Sequence, residues 1–225
     1  SWPLSRKSSS GSSMKIYVIR HGVTELNTEK VRQHMEGFLS QEGVAQARLL
    51  GERLSSIPVD TIFTSPYPRA KQTADIISAF HKQLLVQESE YLVEVRYPSE
   101  VFGQPKEDPK SMRIIETVHD HFGEPGWRYS DEETFDEFVG RARTVLEYIS
   151  KTGFQNAVVV SHERFIRVLV GVVLLGKHFT PDTFRTMRKN LYVSNTGITA
   201  FEEQKSDTGH WKLSTLNDHA HVRTI

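Results

Sequence analysis

The chain reads as an α/β protein, a three-layer sandwich with a mostly parallel central sheet flanked by helices and one insertion over the carboxyl ends of the strands. Three observations predict this. Short β-branched runs, Ile16-Tyr17-Val18-Ile19 and Val158-Val159-Val160 above all, are apolar on both alternating faces, as strands covered on both sides of a parallel sheet must be. Helix-forming stretches separate these runs. Chemically active side chains then follow the runs directly: Arg20-His21-Gly22 after the first and Ser161-His162-Glu163 after the later one. In open parallel sheets ligands bind beyond the carboxyl ends of the strands.

Residues 1–13 hold seven serines and no apolar segment of the secretory-signal type. They read as an appended linker, with an organellar targeting segment as the second reading. A single domain is expected over 14–216 and a frayed tail over 217–225. The first strand covers 14–20. A helix over 41–55 places Val44, Ala47, Leu50 and Leu54 on one face. A strand over 59–64 leads to a helix over 68–81, with Pro68 in the first turn, where a missing N–H costs nothing. A strand over 84–87 runs into the loop that carries Glu94. Residues 97–129, punctuated by Pro98, Gly103, Pro105, Pro109 and Pro125, read as the insertion and hold one helix over 110–121. The spacing Ser130-x-x-Glu133 predicts a capping box opening a helix that runs to 150. A strand over 157–161 and helices over 163–175 and 181–189 follow. Strands over 197–202 and 211–213 form an edge hairpin turning at 207–209.

Twenty-eight Lys and Arg balance 28 Asp and Glu. A global basic field for nucleic acid is therefore absent, and any anion site must be a local cluster of Arg and His. The chain has no cysteine, which excludes thiol nucleophiles, disulfides and Cys-ligated zinc and fits a reducing, cytoplasmic compartment. The longest strongly apolar stretch, 168–175, is too short to cross a bilayer. His119 and His121 are two apart on a helix and do not share a face, so no metal is expected there. The run Asp131-Glu132-Glu133 suits a helix N-terminus. Arg164, Arg167 and Lys189 read as a solvated basic face. Neither a cofactor nor a membrane or nucleic-acid partner is expected; the oligomeric state is open, a homodimer included.

At the first strand end, Arg20 and His21 bring a cation and an imidazole, and Gly22 permits close backbone approach. Such a set suits a phosphate. Arg69 stands at a helix start, where a cation opposes the helix dipole, so an anion ligand accounts for it better than helix stability does. His162 repeats the arrangement of strand followed by imidazole.

The segments Arg20-His21-Gly22-Val23-Thr24-Glu25-Leu26-Asn27, Leu39-Ser40-Gln41-Glu42-Gly43, Phe63-Thr64-Ser65-Pro66-Tyr67-Pro68-Arg69, Leu92-Val93-Glu94 and Val160-Ser161-His162-Glu163 occur in that order. The series resembles the histidine phosphatase superfamily, also called phosphoglycerate mutase-like, over about 14–197. The resemblance implies a phosphomonoester hydrolase acting on a small phosphorylated metabolite through a phosphohistidine. It makes His21 the nucleophile, Arg20 and Arg69 phosphate ligands, His162 a second imidazole donor and Glu94 the general acid, with Glu90 and Glu100 as competing carboxylates. It places Asn27 on the phosphate, where the residue alone reads as a turn former, and sets Gly22 and Thr24 beside it. Two departures matter. Mutases of the family typically carry Glu-Arg-His-Tyr-Gly at the acid, whereas this chain has Glu94-Val95-Arg96-Tyr97-Pro98. That favours hydrolysis over the alternative, a cofactor-dependent phosphoglycerate mutase, and leaves Arg96 available to a substrate carboxylate. Glu163 stands where glycine is common and would narrow the substrate range or repel highly charged phosphates, which puts bisphosphate use in doubt. The third reading, a non-catalytic phospholigand-binding module, would be expected to have lost Arg20 or His21, and both are present.

Overall fold

The structure, a computed structural model, describes residues 13–25, 37–82, 84–204 and 210–222. Six strands, β1 (Lys15–Arg20), β2 (Thr61–Thr64), β3 (Val86–Glu88), β4 (Asn156–Ser161), β5 (Ile198–Glu203) and β6 (Trp211–Asp218), form one sheet in the order β3-β2-β4-β1-β5-β6. The first four are parallel; β5 and β6 run antiparallel at one edge. Ile19, Val160 and Thr64 lie side by side in the parallel register. The chain segments leaving β1, β4 and β2 therefore emerge in one row, which is what positions the site.

The helices are α1 (Gln41–Leu54), α2 (Pro68–Ser78), α3 (Pro109–His121), α4 (Phe135–Ser150), α5 (Glu163–Leu175) and α6 (Pro181–Asn190). Alternate residues of one strand feed opposite cores. Val158 and Val160 pack with Leu50, Leu54, Ala70, Ala74 and Ile77 of α1 and α2. Ala157 and Val159 pack with Phe138, Val145, Phe165 and Leu169 of α4 and α5. This is the three-layer sandwich expected from strands apolar on both faces.

The structure corrects the sequence reading at three places. The capping box lies four residues later than expected: Thr134 accepts from the Glu137 amide while Glu137 accepts from the Thr134 amide. Ser130–Glu133 is instead irregular, because Glu132 accepts from the Tyr129 and Ser130 amides and Glu133 is drawn inward by Arg141. The last strand extends to Asp218, and the tail is not frayed through residue 222. Arg53 of α1 pairs with Asp218, and the Asn217 side chain accepts from the Ser194 amide. This pairing holds the Asp218 carboxyl down to about 2, and burial beside Arg53 holds His221 at about 4. The expected turn at 207–209 lies outside the described residues. The insertion has a small core of its own, Val101, Ile114 and Val118, covered by Tyr97 and Trp127.

Candidate active site

β1 delivers His21 with its main chain fixed on both sides. Its amide donates to Ser161 O (3.1 Å) and its carbonyl accepts from Asn195 Nδ2 (2.7 Å). The ring Nδ1 donates to Gly22 O (2.8 Å), which leaves Nε2 with its lone pair. Arg69 Nε donates to that Nε2 across 3.2 Å. His162, at the end of β4, stands with its ring 5.2 Å from that of His21, and its Nε2 shares a hydrogen bond with Ser65 Oγ (2.9 Å) at the end of β2. The Tyr67 ring packs on His162 at 5.1 Å and under the Arg69 guanidinium at 5.0 Å. Burial first, and then the Arg69 charge, hold both imidazoles well below the ordinary histidine range. Burial likewise brings Arg69 down to about 10 and raises Tyr67.

Packing alone requires glycine at position 22. A β-carbon there would sit 2.7 Å from Gly43 O, and one on Gly43 would sit 2.0 Å from Val23 O. The start of α1 is therefore seated directly on the loop after β1. The Gly22 amide donates to Thr73 Oγ1, which donates in turn to Arg69 O, tying that loop to α2. Thr24 is buried and bridges its backbone to Leu39. Asn27 lies outside the described residues.

Glu94 reaches the same place by another route. Its Oε1 accepts from the Val95 amide (3.0 Å) and the Phe165 amide (3.1 Å), and its Oε2 from the Arg164 amide (3.1 Å). The last two are orphan donors of the first turn of α5. His162, the N-cap residue, makes no side-chain cap there, its imidazole being committed to Ser65. A carboxylate from another part of the chain thus does the capping, and Oε2 keeps room for one further partner. Glu94 also lines a cavity of about 260 Å³ with Tyr67, Arg69, Arg96, Tyr97 and Arg164, walled by Ser99 and Phe102 of the insertion.

The loop around Glu94 is clamped by a buried ion pair. Arg141 of α4 engages Glu133 through Nε and a terminal nitrogen, both at 2.7 Å. It also donates to Tyr91 O (2.9 Å) and Val93 O (2.7 Å). The acidic run read as helix-terminal charge therefore contains a buried structural partner. Sequence reasoning missed Arg141, Glu133, Ser65, Tyr67 and Asn195. Ser65 and Tyr67 directly follow β2 in a segment already singled out, whereas Arg141 and Glu133 carry no local signal.

The basic face expected at Arg164, Arg167 and Lys189 is solvated only at Lys189. Arg164 stacks over Tyr97 at 5.0 Å, and Arg167 is buried, donating to Leu191 O and paired with Glu163. Glu163 also pairs with Arg20 at 3.0 Å, whose other terminal nitrogen donates to Val193 O (2.6 Å). Arg96 is exposed at the cavity mouth. His119 bonds the Tyr97 hydroxyl, while His121 bonds Glu124 and stacks on Trp127, so the two rings point to different partners.

The geometry thus gathers two imidazoles, two guanidinium groups and a carboxylate beyond the ends of three parallel strands. The sequence profile of the histidine phosphatase superfamily (branch 1) matches residues 16–219. The chain belongs to that superfamily. A broad-specificity phosphatase of Saccharomyces cerevisiae is 28% identical over 201 residues, covering 85% of this chain and 80% of its own. Among solved structures, YhfR of Bacillus stearothermophilus shares the fold with a TM-score of 0.79 at 22% identity, covering 93% of this chain and 99% of its own. A phosphoglycerate mutase of Bacillus anthracis shares it with a TM-score of 0.73 at 21% identity, covering 94% and 96%. As a member of this superfamily with phosphatases among its relatives, the protein is a phosphatase-type enzyme. None of the described helices is long and apolar enough to cross a membrane.

Proposed function

We propose that residues 14–216 act as one domain that hydrolyses a small phosphorylated metabolite in the cytoplasm through a phosphohistidine on His21. The observation that carries this reading is the His21 ring. Its Nδ1–H is spent on Gly22 O, and its Nε2 faces Arg69 with His162 alongside. A buried, neutral imidazole in one tautomer is a competent nucleophile toward phosphorus. Phosphoryl transfer spreads charge over the equatorial oxygens, so donors preorganised around the phosphoryl group supply most of the catalysis.

In this reading an arriving phosphoryl group takes over the donor that Arg69 now gives to Nε2, and Arg20 and His162 contribute further donors. Nε2 forms a bond to phosphorus as the ester oxygen leaves, and Glu94 hands that oxygen its proton from Oε2. Water then attacks the phosphohistidine, Glu94 takes a proton from it, and inorganic phosphate departs. The sequence Glu94-Val95-Arg96-Tyr97-Pro98 favours transfer to water over the mutase alternative, and Arg96 at the cavity mouth is available to the part of the substrate beyond the phosphate. The cysteine-free composition supports the compartment.

His21→Ala is expected to lower turnover of an aryl phosphate by at least about 10³-fold while leaving the melting temperature close to that of the unaltered protein. The unaltered protein, quenched during turnover, should carry acid-labile, base-stable phosphate. Activity that survives in His21→Ala, or that a chelator abolishes, overturns the mechanism.

A further inference from the structure

We propose that Glu163 sets the phosphate affinity of the site, acting as an internal counter-anion that keeps Arg20 from holding inorganic phosphate tightly. The inference rests on the reading of Arg20 as a phosphate ligand. Glu163 is the first residue of α5, where a negative side chain suits the helix dipole. Its two carboxylate oxygens take different cations, Oε2 on Arg20 and Oε1 on the buried Arg167. Arg20 is thereby engaged at one terminal nitrogen by Val193 O and at the other by Glu163. Its Nε is buried with no hydrogen-bond partner among the described residues. That donor remains for a phosphoryl oxygen.

Two consequences follow from this wiring. Arg20 is held in one orientation without help from a ligand, so little ordering is left to do when the phosphoryl group arrives. Its charge is also partly offset before any anion binds. A phosphoryl group on Arg20 then lies beside a carboxylate already bound to the same guanidinium, and like charges at that range weaken the binding of a dianion. A hydrolase whose product is free phosphate gains from this, because product release limits turnover in many enzymes. Arg167, donating to Leu191 O while holding Glu163, fixes the carboxylate in its bridging place.

The test turns on a sign. Calorimetric titration with inorganic phosphate at fixed ionic strength compares the unaltered protein with Glu163→Gln. The amide side chain keeps the size and one acceptor while removing the charge. If Glu163 is a counter-anion, phosphate binds the variant roughly tenfold more tightly or better, and product inhibition of aryl phosphate hydrolysis deepens in parallel. If Glu163 merely props Arg20, its loss weakens phosphate binding; that result, or an unchanged affinity, overturns the proposal. Should Glu163→Gln not fold, Glu163→Asp pulls the carboxylate back from Arg20 and is expected to tighten phosphate to a smaller degree, with the same signs deciding. Aryl phosphate turnover by the unaltered protein is read separately. Tighter phosphate binding without any turnover overturns the phosphatase reading and leaves the counter-anion; turnover with weaker binding does the reverse.

Discussion

His21 and His162 leave adjacent parallel strands directly beyond a continuous ladder, whereas Glu94 hangs from a loop between two short 3-10 turns, Glu90–Leu92 and Ser99–Val101. The imidazoles inherit their places from sheet register and from apolar packing on both faces. The carboxylate has no strand ladder behind it, although Leu92 and Val95 beside it are buried in the core. Its loop is held from behind by the Arg141–Glu133 pair and from the front by the first turn of α5. The comparison teaches that one site can be assembled by two kinds of force. Sheet register and burial dominate in the nucleophile half, and a polar network that must be satisfied at every member dominates in the acid half. The second kind is the more fragile, because removing one partner strands the other.

The largest effect expected from breaking this contrast is at Arg141. Arg141→Met leaves Glu133 buried and unpaired, and should cost about 3–5 kcal/mol of stability in denaturant titration. Replacing both partners, Glu133→Leu with Arg141→Met, is expected to recover most of that stability, since an apolar pair of similar volume is often as stable as a buried ion pair. Activity should not return with it, because the donors to Tyr91 O and Val93 O are gone and Glu94 loses its backing. Recovery of both together would show that the clamp does not position the acid.

The next effect is at the acid itself. Glu94→Gln keeps the shape but sets an amide NH₂ against backbone donors of α5. Alkyl phosphates, whose leaving oxygen needs a proton, should lose roughly 10²-fold or more in the phosphorylation step, and nitrophenyl phosphate less than about tenfold. Equal losses in rapid-quench measurements with the two substrates would reassign Glu94 to helix capping alone and open the acid role to Glu90, Glu100 or Glu163.

The smallest effect sharpens the nucleophile half. Because burial and Arg69 depress both imidazoles, they stay neutral as the pH falls past the ordinary histidine value of about 6.5, while the unfolded chain takes up protons. Stability should therefore fall as the pH drops below about 6.5 and continue to fall until the folded-state values are reached. Melting curves between pH 7 and 5 check this, with a shallower dependence expected for His21→Ala. ¹⁵N ring spectra showing either imidazole charged at pH 6 would contradict it.

The nucleophile half was legible in the sequence because β-branched runs announce buried strands and the active residues stand immediately after them. In the acid half Glu94 was reached only through the resemblance, and the network that holds it was not legible, for physical reasons. Two capping-box spacings stand end to end, Ser130-x-x-Glu133 and Thr134-x-x-Glu137, and the pairing of Glu133 with Arg141 and of Glu132 with the Tyr129 and Ser130 amides removes the first. Arg53 and Asp218 are 165 residues apart, so nothing local announced that the tail would dock on α1. Arg167, read with Arg164 and Lys189 as a solvated face, turns inward. It is buried because Glu163 and Leu191 O together give it partners.

The capping of α5 by Glu94 also bears on how the molecule comes to be folded. The carboxylate and the two helix amides it serves are about 70 residues apart along the chain. The Arg164 and Phe165 amides have no intrahelical acceptor, so this distant loop supplies one and is itself placed by them. A chain in which that docking is lost would lack the acid at the site, so catalytic competence depends on this one long-range closure.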